Sequence, residues 1–304
     1  MLPALTRSYQ NHTLDSTRWA QYAPREGDLI VSSPYKSGTT WTQEIVLYLV
    51  FLGQEAPYRE SVSPWFESRL GPLQDMLAAL ENQRHRRFIK THLALDGLPF
   101  YPHVKYIVVG RDPRDVFMSL WNHYASHTPA FVQFINAYPG RVGPPFPVPP
   151  DSIRDFWRDW ISRGWFDWEQ EGYPYCGNMH HVQTWWTYRH LPNTLLVHFA
   201  DLLTDCRREI RRIAAFLDVA VSDGQIATIA DATSLGAMRV RAERNDRDMR
   251  FIWTNGAQSF FYRGTNGRWK DVLSAHDLAM YEDTANKVLT PDCRAWLEQG
   301  GSTP

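Results

Sequence analysis

The sequence predicts an α/β fold of three layers, with a central parallel sheet flanked by helices. Two strand–loop–helix patterns, within 28–53 and 105–124, support this prediction, and 304 residues suffice for one large domain spanning 1–304. Ligands of parallel sheets lie beyond the carboxyl ends of the strands. We therefore expect the loops that follow the strands to meet at one edge and to form the functional site.

The first pattern runs from a short apolar strand (29–31) through a loop of small residues (36–40, KSGTT) into a helix (39–52). Such a loop directs backbone N–H groups and the positive end of the helix at one point, which suits a phosphate. The Walker order G-x-x-x-x-G-K-[ST] is not met, because Lys36 precedes Gly38. A plain turn that starts a helix stays an alternative interpretation.

A second strand is predicted over 88–92 (FIKTH), and it carries a lysine and a histidine. Lys90 and His92 are two residues apart, so they face the same way on an extended segment. A single histidine at a strand end is more often structural than catalytic. The lysine on the same face shifts the interpretation toward a site.

The strongest strand signal is 105–109 (KYIVV), followed by a helix that runs to about residue 124. Asp112 suits the N-cap of this helix and Pro113 its first position. Arg111 then lies at the predicted edge, with Ser119 two turns along the helix. The alternative for Arg111 is a salt bridge to a neighbouring aspartate.

Composition narrows the function classes. A net charge of −1 gives no diffuse basic field for nucleic acid. The three cysteines are odd in number and widely spaced, which predicts neither disulfides nor a zinc site and favours a reducing cytoplasm. The sequence shows no leader peptide, and its longest apolar run, 45–52, is too short to span a membrane. We expect a cytoplasmic protein without a metal.

Three stretches are less regular. Residues 126–180, rich in proline and aromatic side chains, are expected to form a lid over an acceptor pocket, or a small satellite core, and the two are compatible. Residues 1–27 are polar and mixed, which predicts a surface arm. Residues 239–250 (RVRAERNDRDMR) are strongly charged, which predicts a mobile surface loop.

Four segments, taken in order, resemble the cytosolic-type sulfotransferases that use 3′-phosphoadenosine 5′-phosphosulfate (PAPS). They are KSGTTW (36–41), FIKTHL (88–93), RDPRDVFMSLWNHY (111–124) and YRGTNGRWK (262–270). HVQTWW (181–186) fits a fifth, less specific segment. The matches extend from about residue 25 to residue 275. Four motifs in this order rarely match by chance, whereas any single one would be weak.

The resemblance implies a role for each matched residue. Five loop residues would wrap the 5′-phosphosulfate: Lys36, Ser37, Gly38, Thr39 and Thr40. The other cofactor contacts would fall on Trp41, Phe199, Thr233 and Leu235 near the adenine, and on Arg111, Ser119, Tyr262, Arg263 and Gly264 near the 3′-phosphate. The catalytic set would be His92 as general base with Lys36, Lys90 and Ser119.

Several positions depart from the family pattern. Tyr262 replaces an arginine, Phe199 a tyrosine and Leu235 a phenylalanine, while Pro34 and Tyr35 are exchanged. These changes leave the affinity for the cofactor open. The family's dimer signature, K-x3-T-V-x3-E, is not matched, since other residues stand at its main positions: Ser274, Ala275 and Ala279.

The expected function is transfer of a sulfuryl group from PAPS to a hydroxyl or amine of a small, apolar or aromatic acceptor, leaving adenosine 3′,5′-bisphosphate. The expected partner is thus a small molecule and not a nucleic acid. Two alternatives stay open: a nucleotide kinase and a catalytically silent nucleotide-binding protein.

Overall fold

Four parallel strands form one sheet in the order β2–β1–β3–β4. The computed structural model describes residues 2–244 and 246–301. Leu29 lies opposite both Phe88 and Lys105, and Tyr106 lies opposite Thr194. The carboxyl ends of all four strands therefore share one edge, as expected. The strands are β1 (Leu29–Ser32), β2 (Phe88–Thr91), β3 (Lys105–Gly110) and β4 (Thr194–His198).

Fifteen α-helices and three short 3₁₀ helices are found in the described part of the chain. The 3₁₀ helices are Ser16–Gln21, Leu95–Gly97 and Arg268–Asp271. The α-helices, in chain order, are α1 (Thr39–Val50), α2 (Arg59–Val62), α3 (Leu73–Asn82), α4 (Pro113–Ala125), α5 (Pro129–Ala137), α6 (Ile153–Ser162), α7 (Asn178–Trp186), α8 (Phe199–Thr204), α9 (Cys206–Phe216), α10 (Asp223–Ala232), α11 (Leu235–Glu243), α12 (Asp246–Ile252), α13 (Ala257–Phe260), α14 (Ala275–Val288) and α15 (Pro291–Gln299).

Helices cover both faces of the sheet. Ile30 and Val108 point into a core shared with α4, α6 and α7, whereas Val31 and Val109 point into a second core shared with α1, α9 and α10. Strands buried on both faces read as continuous apolar runs instead of alternating ones. The predicted three-layer α/β fold is confirmed.

The N-terminal stretch is part of the core, so the predicted surface arm is wrong. Tyr9, Trp19 and Tyr22 are all buried. The Tyr9 ring occupies the space beside Gly97, where a Cβ would come within 2.3 Å of it. A few large aromatic side chains hold this segment in the core. The prediction was wrong because it rested on the average polarity of the segment, which these few residues change little.

The charged stretch 239–250 was expected to be a loop, but it contributes to α11 and α12 on either side of residue 245. Two of its arginines form ion pairs. Arg241 pairs with Glu44 at 2.6 Å, and Arg250 pairs with Asp246 one turn earlier. Ion pairs of this kind stabilise helices whose residues would repel one another if unpaired.

The stretch 126–180 divides into two parts. Helix α6 begins at Ser152, its N-cap, as predicted, and buries Phe156, Trp157 and Trp160 in the core. Residues before it, among them Phe146, line the cavity described below. The core interpretation therefore fits α6, whereas the pocket interpretation fits the residues before α6 and also Tyr175, which lines the cavity.

Candidate functional site

A cavity of about 680 Å³ opens at the carboxyl edge of the sheet. The loops after β1, β2 and β3 meet there with the segment 262–268, as the topology requires. Two predicted site residues, Ser37 and Thr233, are fully buried outside its lining. The other predicted residues line it: Lys36, Gly38, Thr39, Thr40, Trp41, Lys90, His92, Arg111, Ser119, Phe199, Leu235, Tyr262, Arg263 and Gly264.

The loop after β1 takes a backbone shape that few residues allow. Lys36 has φ +64° and Gly38 has φ +113°. A Cβ on Gly38 would stand 2.9 Å from Cδ2 of Phe199, so only glycine fits. Gly38 also occupies the N-cap of α1 without a capping side chain. The amide groups of the first helical turn are thus left for an anion.

Arg111 joins this loop to the C-terminal segment. Its guanidinium donates to the carbonyl oxygen of Thr265 at 2.9 Å, to Oδ1 of Asn266 at 3.1 Å and to the carbonyl oxygen of Lys36 at 3.3 Å. Among residues 2–244 and 246–301, no carboxylate lies within ion-pair distance of Arg111, so the salt-bridge alternative is wrong. Burial lowers the pKa of Arg111 to about 10, which still leaves it cationic at neutral pH.

A second contact closes the same segment over α4. The backbone N–H of Gly267 donates to Oδ1 of Asp115 at 2.7 Å. Burial raises the pKa of Asp115 to about 6, against the opposing effect of the Arg111 charge. Gly264, with φ +64°, passes close to Leu235, whose Cδ2 would stand 3.0 Å from an added Cβ. Arg263, by contrast, is exposed beside the cavity.

Two lysines reach the cavity from the loop and from β2. Burial, with the charges of Arg111 and Lys90, lowers the pKa of Lys36 to about 7, and its Nζ lies 4.5 Å from the ring centre of Phe260. Burial, with the charge of Arg59, lowers the pKa of Lys90 to about 8. Both ammonium groups would gain from an anion placed in the cavity.

His92 is held as a neutral imidazole with a defined tautomer. Its Nδ1 lies 2.7 Å from the carbonyl oxygen of Ser33, which can only accept, so Nδ1 carries the proton and Nε2 keeps a lone pair. Its ring stacks on Tyr35, with centroids 4.2 Å apart. Burial and the Lys90 charge hold the pKa of His92 well below its usual range. The imidazole is therefore free of a proton at Nε2 at neutral pH.

Glu67 fixes the backbone of His92 and was missed by the sequence analysis. Its Oε1 accepts from the backbone N–H of His92 and from Nε1 of Trp65, both at 2.6 Å, and its Oε2 accepts from Nε1 of Trp19 at 3.2 Å. Burial raises the pKa of Glu67, while these hydrogen bonds oppose the shift. Glu67 stands between Phe66 and Ser68 in no motif, so the sequence carries no signal for this role.

Aromatic side chains form a continuous wall at the far end of the cavity. The ring centroids of Tyr35 and Tyr175 are 5.0 Å apart, those of Tyr175 and His123 6.4 Å, and those of His123 and Phe260 6.2 Å. The wall thus runs from His92 to the ring under Lys36. His123 lies four residues beyond Ser119 on α4, and this helical spacing could have identified it.

Several buried polar atoms of this wall have no hydrogen-bond partner within the described residues. They are Nδ1 of His123, Nδ1 of His127, Oη of Tyr175 and Nε1 of Trp253. Buried polar atoms are normally paired, so unpaired ones in a cavity wall indicate a place for water or for polar groups of a ligand. We call this region, with Tyr35 and His92, the acceptor end, and the region around 36–41, Arg111 and 262–268 the donor end.

Residues 2–244 and 246–301 contain no group of three or more histidine, cysteine, aspartate or glutamate side chains placed to hold a metal ion. Within those same ranges, no helix combines the length and the apolar character needed to cross a bilayer.

Comparison with known proteins agrees with this geometry. The family model for the sulfotransferase domain matches residues 26–290. A glycolipid sulfotransferase of Mycobacterium tuberculosis is 35% identical over 309 residues, covering 96% of this chain and 94% of the relative. Rat sulfotransferase 1A1 is 28% identical, covering 88% of this chain and 85% of the relative.

Solved structures show the same fold. Mouse sulfotransferase SULT7A1 complexed with PAP (adenosine 3′,5′-bisphosphate) superimposes with a TM-score of 0.69 at 19% identity, covering 92% of this chain and 91% of that one. Retinol dehydratase in complex with androsterone and inactive cofactor PAP gives 0.67 at 24% identity, covering 88% and 82%. The chain therefore belongs to the sulfotransferase family, and the enzyme class expected from its motifs is confirmed.

Proposed function

We propose that the enzyme transfers a sulfuryl group from PAPS to a hydroxyl of an amphipathic acceptor, leaving PAP. One observation carries the proposal: a neutral histidine, His92, lies in the same cavity as a helix-start loop with two lysines nearby. A phosphosulfate suits that loop because open amides, Lys36 and Arg111 surround it. When bound, the donor supplies sulfur already bonded to a good leaving group, the 5′-phosphate oxygen.

At the donor end, both backbone groups and side chains would bind PAPS. The amides of 37–40 and the start of α1 would hold the 5′ side, as in other anion sites at helix ends. Arg111, Ser119 and Arg263 would hold the 3′-phosphate, with Arg111 the best placed because it is already fixed by the 262–268 segment. Trp41 and Phe199, in edge contact at 5.6 Å, would flank the adenine.

His92 and Lys36 would carry the chemical step. Nε2 of His92 accepts the proton of the acceptor hydroxyl while the acceptor oxygen bonds to sulfur. The bond between sulfur and the bridging oxygen breaks, and its electron pair stays on the phosphate. Lys36 stabilises that negative charge, and Lys90 stabilises the sulfuryl oxygens. Position and electrostatics would thus supply most of the rate, without a metal ion.

We propose a glycolipid-like acceptor, with a hydroxylated head group and an apolar body. The wall is aromatic, which suits an apolar body, while the unpaired atoms of His123, His127, Tyr175 and Trp253 suit the hydroxyls of a head group. The name of the mycobacterial relative points the same way. A simple phenol or an amine would leave most of these polar atoms unpaired, which costs about 1–3 kcal/mol each.

The setting proposed is cytoplasmic, in agreement with three unpaired thiols: Cys176, Cys206 and Cys293. Such thiols persist in a reducing compartment. The dimer signature near residue 274 is not matched, so the sequence gives no support for a family-type dimer. Size measurement in solution would test for a dimer, and fractionation of the producing cells would test the cytoplasmic setting.

The direct test is incubation with ³⁵S-labelled PAPS and a panel of glycolipids, phenols, aliphatic alcohols and amines. We expect labelled product from glycolipids, and roughly 10²–10⁴-fold less with His92→Ala. Parallel incubation with γ-labelled ATP tests the kinase alternative, for which labelled acceptor would be the sign. Binding of PAP without turnover on any acceptor would favour the catalytically silent alternative.

A further inference from the structure

Residues 129–150 form a surface segment with almost no charge. The segment contains one charged side chain, Arg141, whereas at the chain's 21% charged residues its 22 positions would hold about five. Burial does not explain this lack of charge, because Val148 is 76% exposed and Phe134 is 41% exposed. Exposed segments normally carry charges that keep them in water, so this composition needs an explanation.

A second element adds an aromatic ring to the same surface. Phe251 of α12 is 44% exposed, and its ring centroid lies 5.7 Å from that of Phe134 and 6.2 Å from that of Phe131. The backbone N–H of Thr128 donates to the carbonyl oxygen of Ile252 at 3.0 Å, which joins α5 to α12. We call α5, residues 138–150 and Phe251 the rim surface.

The rim surface is continuous with the acceptor end of the cavity. Phe131 and Ile135 of α5 line the cavity, and so do Ile252 and Trp253 next to Phe251. Phe131 thus touches both the exposed ring of Phe251 and the cavity interior, where its centroid lies 5.0 Å from that of His127. An apolar molecule can pass from this surface into the acceptor end along apolar side chains.

Basic residues flank the rim surface. The stretch 239–250 contains five arginines against Glu243, Asp246 and Asp248. Because Arg241 is paired with Glu44 of α1, one positive charge is in excess, and Arg141 adds one more. Arg244, Arg247 and Arg250 are exposed. Exposed aromatic rings beside arginines are the combination that binds an anionic membrane surface, where each basic residue adds to the attraction.

We propose that the rim surface docks on a lipid bilayer that contains anionic lipid, and that the lipid-linked acceptor enters the cavity from there. The proposal rests on the proposed function, because it requires an acceptor with a lipid part. A water-soluble acceptor would need no such surface. A second copy of this chain is the competing occupant, since a pair of apolar surfaces could cover each other.

The test uses co-sedimentation of the whole protein with vesicles of phosphatidylcholine, alone and with phosphatidylglycerol. We expect binding that increases with the anionic lipid, and a partition coefficient at least about tenfold lower for the double variant Phe134→Glu and Phe251→Glu. Leu5→Glu is the matched control, because Leu5 is also an exposed apolar residue, at 58%, and lies in the N-terminal stretch. Unchanged binding of PAP by all variants shows that they fold.

Three results would overturn the proposal: no sedimentation of the wild type, equal sedimentation of the double variant, or a dimer in light scattering that the double variant abolishes. Turnover measurements test bilayer docking separately from the assignment of a glycolipid acceptor. We expect the double variant to sulfate a short-chain, water-soluble glycoside at the wild-type rate and the same head group in vesicles more slowly. If no glycolipid or glycoside is sulfated while the double variant still loses vesicle binding, the acceptor assignment fails and bilayer docking stands.

Discussion

The two ends of the cavity are built in different ways. The donor end is made largely of backbone: amides after Gly38, carbonyl oxygens of Lys36 and Thr265, and glycines at positive φ. The acceptor end is lined by side chains packed ring against ring from Tyr35 to Phe260. A backbone site changes only if the fold changes, whereas a side-chain site can change one residue at a time. One fold can therefore keep its donor and exchange its acceptor.

Substitution of His92 should have the largest effect, and it should affect the acceptor end without affecting the donor end. His92→Ala is expected to lower turnover by roughly 10²–10⁴-fold while PAP binding stays intact, because in the proposed mechanism His92 takes the acceptor's proton and does not hold the donor. The acidic limb of the kcat/KM profile, which lies below pH 6.5 because the pKa of His92 is lowered, should vanish. Steady-state kinetics and calorimetry would measure both effects.

Acceptor acidity sharpens that test. Phenols that ionise readily should depend on His92 less than aliphatic alcohols do, since they need less help in losing the proton. The control is His190→Ala, an exposed histidine. Full activity of His92→Ala on an aliphatic alcohol would make His92 structural and place the base elsewhere.

Lys36 lies where the two ends meet, so its loss should affect chemistry more than binding. Lys36→Ala is expected to lower kcat by about 10²–10³-fold, as for the loss of one donor to a developing oxyanion. Single-turnover rates would show this directly. A normal kcat with only a raised KM would place Lys36 in ground-state binding instead.

Arg111 should affect the donor end alone. Arg111→Ala is expected to weaken PAP binding by roughly 1.5–3 kcal/mol, typical of hydrogen bonds to a charged group, with a smaller effect on AMP, which lacks the 3′-phosphate. Arg114→Ala is the matched control, because Arg114 pairs with Asp112 outside the cavity. Equal calorimetric affinities of the wild type for PAP and AMP would contradict the assigned 3′-phosphate site.

The smallest expected effect is a pH dependence of donor binding. With a pKa of about 7, Lys36 is mostly neutral above pH 7 in the free protein, and a bound anion favours its protonated form. PAP binding should take up a proton and weaken by up to about tenfold per pH unit above pH 7. Lys36→Arg, which stays protonated, should flatten this slope, and calorimetry in buffers of different ionisation enthalpy would count the protons. A slope unchanged in Lys36→Arg would assign the uptake to Lys90.

The sequence was informative where local rules decide the structure. Gly38 in a left-handed turn, Asp112 as N-cap and the parallel strands follow from short-range sterics and hydrogen bonding, so the fold and the donor end could be predicted. Glu67 and Tyr175 could not, because their roles depend on contacts across the chain: Glu67 binds a backbone group 25 residues away. The prediction of a loop over 239–250 was wrong for a similar reason, since Arg241 has its partner 197 residues earlier, in α1.

The buried N-terminal stretch has a consequence for synthesis of the chain. Tyr9 packs on Phe166 and Trp168, with centroids 5.0 and 5.5 Å away, so its partners leave the ribosome about 160 residues later. At roughly 5–20 residues per second, that delay is about 8 to 30 s. During it, Tyr9 lacks these two partners, whereas Trp19 can already pack on Phe66. The aromatic cluster around Tyr9 can therefore be completed only after residue 168 has been synthesised.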